Sequence, residues 1–262
     1  MFTQEEIKLN KEFSEKGFII KPSQNVQALS EIKNDLVNQI KKFLKISRKV
    51  NPDFLLNNIH KEISVNKLNN MRLHLIENMN LSRKNKRLYF ESSRKFIEIL
   101  VGNELAMQKK ISLSIQFPKD DSSLLPVHSD TWSGLSPFEV VVWIPLVDCY
   151  KTKSMFILPP KDTSKLSKNF KNFSKGSSDD IFRKISKKVK WLDIKFGQIL
   201  IFNQHLPHGN RINTEKETRW SMNCRFKSIF SPYADKKIGE FYEPITLRAA
   251  SKLGMNYEFP KI

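Results

Sequence analysis

Cysteine is almost missing from this sequence. Cys149 and Cys224 are its two cysteines and no CxxC spacing occurs, which excludes a disulfide framework and a thiolate zinc site. Long apolar runs are missing too. The longest, residues 140–147, falls far short of the roughly 18 residues of a membrane helix, so it reads as a buried strand and no membrane span is expected. The opening MFTQEEIKLNKEF is charged throughout and has no apolar core of the kind a secretory signal needs. Together these features predict an intracellular, cytoplasmic protein with reduced thiols. Glycine is scarce, at 8 residues. Neither a phosphate-cradling P-loop nor a dinucleotide-binding glycine motif is present, nor is the HExxH spacing of a zinc protease.

Acidic residues are also short: 27 against 45 Lys and Arg, a net charge of +18. Such an excess fits nucleic acid, an anionic membrane surface or anionic small substrates, and lysine spread diffusely over the chain gives the same total. Residues 161–190 hold ten Lys or Arg against Asp162, Asp179 and Asp180. That segment is rich in serine and poor in apolar runs, which predicts a mobile insertion or a helical surface flap. Phe170, Phe173 and Phe182 lie among its basic residues, as in single-strand nucleic-acid binders. No recognised binding motif accompanies them, so nucleic acid is not an expected partner.

What is present is a globular composition, 39% apolar and 11% aromatic, without a linker or an internal repeat. The N-terminal part reads as helical. Val26, Leu29, Ile32, Leu36, Val37, Ile40, Phe43 and Leu44 recur with a 3.6-residue period and predict an amphipathic helix over 26–44. Ser64 is placed to start a second helix. A third is expected from about Asn85 to Val101, stopping near Gly102.

After residue 108 the period becomes two. Ile111, Leu113, Ile115 and Phe117 alternate with Ser112, Ser114 and Gln116, the pattern of a half-buried strand. Further strands are expected at 140–147 and in SMFIL, KWLDI and QILIF. The last lies in TRWSMNCRFKSIF, where Arg219, Ser221, Asn223, Arg225 and Lys227 alternate with Trp220, Met222, Cys224 and Phe226. Many short strands without interleaved helices indicate an antiparallel sandwich or barrel packed on the N-terminal helices, an α+β chain with a mainly β core. The polar row of the last strand either faces solvent or lines an interior that holds a ligand; the alternation is the same in both cases.

Five histidines narrow the chemistry. His60 and His74 lie in the helical part with no carboxylate at metal spacing and read as surface or capping residues. His128 and Asp130 stand two apart in LPVHSDTW, just before the apolar strand. His205 and His208 follow a later strand in QILIFNQHLPHGNR. Two imidazoles and a carboxylate form the facial set that binds Fe(II) and leaves positions open, whereas a three-ligand zinc site keeps one for water. The residues alone leave open which late histidine completes the set.

These stretches resemble the Fe(II)/2-oxoglutarate-dependent oxygenases of the phytanoyl-CoA dioxygenase-like family, in particular members from bacterial carbohydrate-biosynthesis clusters. FSEKGFIIKP is similar to the family's opening helix and strand, VHSDTW to its His-x-Asp, VVVWIPLVDCYKTKSMFILP to the strands that follow, and FGQILIFNQHLPHGNRINTEKETRWSMNCRF to its distal-His and arginine strands. The YKTKSM stretch departs from the family's usual Gly or Asn there. The resemblance implies a double-stranded β-helix, a jelly-roll or cupin-like barrel, within a single domain: helical support over 1–108, the barrel over 109–230 with 161–190 inserted, and an extension over 231–262. It implies His128, Asp130 and His208 as iron ligands, because His208 precedes Arg219 by the family's interval of 11 residues and His205 by 14. His205 then lines the pocket or ends a strand.

The same resemblance implies that Arg219 and Ser221 hold the far carboxylate of 2-oxoglutarate, with Gln116 near the cosubstrate. Trp132, Asn223 and Arg225 are expected against the substrate, and Trp143 in the core. The activity it implies is O2-dependent hydroxylation, with desaturation or another oxidation left open, of a small polar substrate such as a sugar or nucleotide-sugar of surface-polysaccharide synthesis. The surplus of positive charge agrees with an anionic one, and an amino acid or lipid-derived acid stays open. Asp130 disfavours halogenation. A non-catalytic cupin-like barrel that binds a sugar or metal is the alternative.

Overall fold

Apolar side chains at helical intervals set the N-terminal part of the computed structural model, which describes residues 1–173 and 176–260. Helix α1 (Gln4–Lys16) opens with a Thr3/Glu6 capping box and leads to strand β1 (Phe18–Pro22). Helix α2 (Val26–Phe43) buries Leu29, Ile32, Leu36, Val37 and Ile40, as the period predicts. Helices α3 (Pro52–Asn58) and α4 (Val65–Leu81) follow, the latter starting behind Ser64.

The third expected helix is two, α5 (Arg83–Glu91) and α6 (Arg94–Val101). The break falls at the buried pair Ser92 and Ser93. The Ser92 hydroxyl donates back to the Tyr89 carbonyl at 2.7 Å. Its own carbonyl accepts from the Ser23 hydroxyl at 3.0 Å and the Gln24 N–H at 3.1 Å. A serine with such local partners competes with the helix, and here the freed carbonyl ties α5 to the turn before α2.

The strands are β2 (Leu105–Gln108), β3 (Ser112–Gln116), β4 (Glu139–Pro145) and β5 (Phe156–Ile157). After α7 (Pro160–Lys168), α8 (Phe170–Phe173) and α9 (Ser178–Ile185) come β6 (Lys190–Trp191), β7 (Gln198–Asn203), β8 (His208–Gly209), β9 (Arg219–Ser228) and β10 (Tyr242–Pro244), then α10 (Ala249–Met255). Among the described residues they form a seven-stranded antiparallel sheet, ordered β1-β7-β4-β9-β2-β10 with β3 also paired to β9, and a three-stranded sheet, β6-β5-β8. Mixed helix and antiparallel sheet is thus the observed class. No helix among the described residues is long and apolar enough to cross a membrane.

Strand β9 organises the larger sheet. Its start pairs with β3 and its end with β2, and β4 runs along its other edge. The register sets Val141 opposite Arg225, Trp143 opposite Asn223 and Pro145 opposite Ser221. One face of the sheet, with Trp220, Met222, Cys224, Phe226, Val142 and Ile144, is fully buried. The helices cover it: Trp220 donates to the Leu56 carbonyl at 2.8 Å, and the Tyr89 hydroxyl donates to the Val142 carbonyl at 2.8 Å. The polar row of β9 lies on the opposite face.

The basic segment is helical rather than a structureless insertion, and its helices do interleave with strands. Residues 174–175 of it lie outside the described residues. Leu166, Ile181 and Ile185 pack with Val127, Phe156 and Leu158 into a second apolar cluster. Phe170 packs at a tilt against Trp132 and Phe182 against Phe156, so these two aromatics are used in packing and not presented outward as a stacking platform.

Candidate metal centre

His128 and His208 meet across an antiparallel bridge. The His128 N–H donates to the His208 carbonyl at 3.0 Å and the His208 N–H to the His128 carbonyl at 2.8 Å, which sets the ring centroids 4.2 Å apart. Each Nδ1 lies 2.8 Å from the carbonyl two residues back, that of Pro126 for His128 and of Leu206 for His208. A carbonyl only accepts, so the proton belongs on Nδ1 and the lone pair on Nε2, the arrangement of a metal-binding imidazole. Burial, with His128 alongside, pushes the His208 pKa down to about 4. The ring is therefore neutral at pH 7, as a ligand must be.

Asp130 opens a short 3-10 turn, Asp130–Ser133, directly after His128. Its N–H donates to the Gln204 carbonyl at 3.1 Å. The neighbouring Ser129 hydroxyl bonds the Gln204 and His205 carbonyls at 3.2 and 3.1 Å, so the two loops that carry the triad are sewn together. Asp130 Oδ1 stands 3.7 Å from His128 Nε2. The ligand atoms of His128, Asp130 and His208 all lie within 4.8 Å of one another, the grouping of three that could hold a metal among the described residues. His205 is exposed on a separate groove with Phe13 and Asn203. Gly209 is required by close approach: a Cβ there would meet the Leu125 and Pro126 carbonyl oxygens at 2.7 and 2.9 Å.

The triad borders a cavity of about 70 Å³ that opens between the two sheets. Arg219, Asn223 and Arg225 line it, so the polar row of β9 faces a pocket. Arg219 is almost fully buried. Its Nη2 donates to the Ser114 hydroxyl at 2.8 Å and its Nη1 to the Ser154 carbonyl at 3.3 Å. Its Nε has no partner, and neither do the buried hydroxyls of Ser221 and Ser154. Burial lowers the Arg219 pKa to about 10, and the group remains a cation at neutral pH. An unpaired buried donor costs about 1–3 kcal/mol, so this end of the pocket favours an acceptor.

The other expected residues take different places. Gln116 is buried beside the pocket, where its Nε2 donates to the Arg211 carbonyl at 2.7 Å and its Oε1 accepts from Asn210 at 3.3 Å; it braces the loop after His208. Trp132 packs on Phe170, their rings 4.9 Å apart, and is not among the pocket's lining residues. Arg225 lines the pocket but turns its guanidinium to Asp130 Oδ2 and to Gln108. Trp143 is buried in the main core cluster, as expected, and also lines the cavity with Val141, Met155 and Phe202. The register of β4 on β9 would have revealed Val141 and Trp143, since both sit opposite the polar row. No sequence signal marks Met155.

No protein-family model matches the sequence, and no curated protein matches it. Solved structures do. The non-heme monooxygenase ThoJ, in its nickel complex, aligns over 93% of this chain and 85% of its own at 13% identity and a TM-score of 0.57. The non-heme alpha ketoglutarate dependent epimerase SnoN of nogalamycin biosynthesis aligns over 92% of this chain and 93% of its own at 14% identity and a TM-score of 0.54. The chain shares the fold of these two enzymes. At such identities the likeness is one of fold. It sets the His128–Asp130–His208 grouping in a scaffold that hosts more than one non-heme reaction, an epimerisation among them.

Proposed function

We propose that this chain is an Fe(II)- and 2-oxoglutarate-dependent oxygenase on a double-stranded β-helix, of the phytanoyl-CoA dioxygenase-like branch its motifs resemble. One observation carries the proposal. Arg219, with its unpartnered Nε, lines the cavity bordered by His128, Asp130 and His208; Ser221, with an unpartnered hydroxyl, lies on the same strand face but is not among the lining residues. A cavity with a metal-binding triad and a buried, uncompensated cation fits a keto acid with a second carboxylate at its far end.

Two imidazoles and a carboxylate suit iron. His128 and His208 would hold it through Nε2, and Asp130 through a carboxylate oxygen. Arg219 grips the far carboxylate of the cosubstrate, and Ser221 adds a hydroxyl donor. Val141, Trp143, Met155 and Phe202 give the pocket an apolar wall that would limit water around the bound groups. Bound iron with 2-oxoglutarate supplies activation of O2 for oxidation of a substrate C–H bond. SnoN, solved with Fe3+ and alpha ketoglutarate, supports the same pair of ligands here.

The substrate proposed is a small polar, anionic metabolite, a sugar or nucleotide-sugar on the strength of the motif resemblance, with hydroxylation as the outcome. The chain acts as one domain, whose larger sheet takes in β1, β2 and β10 from outside the barrel span of 109–230 expected from the sequence. Oxygen-dependent conversion of 2-oxoglutarate to succinate by the Fe(II)-loaded protein tests this reading. Turnover is expected in the wild type and in His205→Ala and lost in His208→Ala. Metal binding with no binding or consumption of 2-oxoglutarate would instead leave a cupin-like binding barrel.

A further inference from the structure

The sequence pattern sets Arg225 against the substrate, but its hydrogen bonds run elsewhere. Nη2 and Nε lie 2.8 and 3.2 Å from one oxygen of Asp130, Oδ2. Nη1 donates to Gln108 Oε1 at 3.0 Å, and Gln108 is itself buried on β2. The other Asp130 oxygen, Oδ1, is the one that faces His128 Nε2, at 3.7 Å. The side chains of Arg225 and Asp130 are 15% and 5% exposed, so water and salt screen the pair little. Three of the guanidinium's donors are thus used, two on Asp130 and one on Gln108.

We propose that Arg225 is a positioning residue of the metal centre: by holding Oδ2 of Asp130 it presents Oδ1 alone to the metal. The inference rests on the metal-centre reading above. Its consequence follows from coordination numbers. A carboxylate binds a hard cation through one oxygen or through both. An octahedral ion held by two imidazoles and one carboxylate oxygen keeps three positions open for a chelating cosubstrate and oxygen. A second carboxylate oxygen closes one of them. Gln108 stops the guanidinium from swinging into the pocket, and the hydrogen bonds of Arg225 fix the carboxylate's orientation, the task that groups behind a metal ligand perform in known centres.

The test loads the protein with Mn(II) and counts metal-bound waters by water-proton relaxation, beside a titration with 2-oxoglutarate. Wild type is expected to hold about three exchangeable waters and Arg225→Met about two. In Arg225→Met the affinity for 2-oxoglutarate falls on the order of tenfold or more. Arg225→Lys keeps a charged donor for Oδ2 and restores the wild-type count. An Arg225→Met protein that binds Mn(II) with the wild-type water count and unchanged 2-oxoglutarate affinity would overturn the proposal and return Arg225 to the substrate side. Should Arg225→Met fail to fold, Gln108→Leu frees the guanidinium with its charge in place. A severalfold loss of 2-oxoglutarate affinity is expected there, and no loss contradicts the proposal. A wild-type protein that binds no Mn(II) sinks the metal-centre reading itself, a result distinct from either.

Discussion

At the scale of single residues, the partner a side chain already holds decides what remains for chemistry. His128 and His208 spend Nδ1 on carbonyls two residues back, which leaves Nε2. Arg219 keeps its Nε without a partner, while each of the three guanidinium nitrogens of Arg225 has one. The His-x-Asp and a strand-end histidine were legible as separate local signals, but His208 was preferred to His205 only through the resemblance's spacing to Arg219; the structure groups His128, Asp130 and His208. The different fates of Arg219 and Arg225 were not legible: alternation gives the face on which a residue lies, and its partner depends on the strands beside it. Arg219→Ala is expected to retain metal binding and weaken 2-oxoglutarate by about 2–5 kcal/mol, as loss of one partner of a buried charge pair does; titration of the metal-loaded protein measures it. The thiols give a second check. Burial pushes both Cys149 and Cys224 up to about 12, so neither should react with iodoacetamide at pH 8 until the chain unfolds. Because the folded state holds these protons more tightly, their contribution to stability is whole below pH 9 and lost as pH rises toward about 12. Melting temperature should therefore fall over that interval, and less so in Cys149→Ala.

At the scale of elements, apolar periods placed α2, β3, β4, β7 and β9, and short-range competition spoiled the rest. The helix expected over 85–101 breaks where Ser92 finds partners 69 residues away in sequence, which no local pattern reports. Two-residue strands such as β5, β6 and β8 are too short for a period, yet β8 carries His208. Gly209→Ala pushes a methyl into the backbone carbonyls of Leu125 and Pro126. An overpacked site of this kind loses about 1–3 kcal/mol, and here the strain lands on the segment that carries His128. Thermal melting should show the loss, and Mn(II) affinity should fall with it. The helices of the basic segment depend on Phe156, fully buried between Phe182 and Trp191. Phe156→Ala is expected to cost about 3–5 kcal/mol. Faster hydrogen exchange and earlier protease cleavage in residues 160–190 than in β4 or β9 would locate the loss there.

At the scale of the whole molecule, helices cover one face of the larger sheet and the site occupies the other, with the smaller sheet across from it. The sequence disclosed that division as a change of period near residue 108. It did not disclose that the basic segment builds a second apolar cluster, because its apolar residues are spaced for three short helices and diluted by lysine. The excess of positive charge stays largely on the surface, and inside the pocket it reduces to one uncompensated group, Arg219. The central claim is that this cation and the His128–Asp130–His208 grouping form one site for a metal and a keto acid. Anaerobic addition of Fe(II) and 2-oxoglutarate to the protein tests it most directly, through the visible charge-transfer absorption of the chelate. The account predicts a band in the wild type and in His205→Ala and none in His208→Ala, with Arg219→Ala needing far more 2-oxoglutarate to reach it. A wild-type protein that binds the metal and gives no band at saturating 2-oxoglutarate, or a band that survives in His208→Ala, would contradict it.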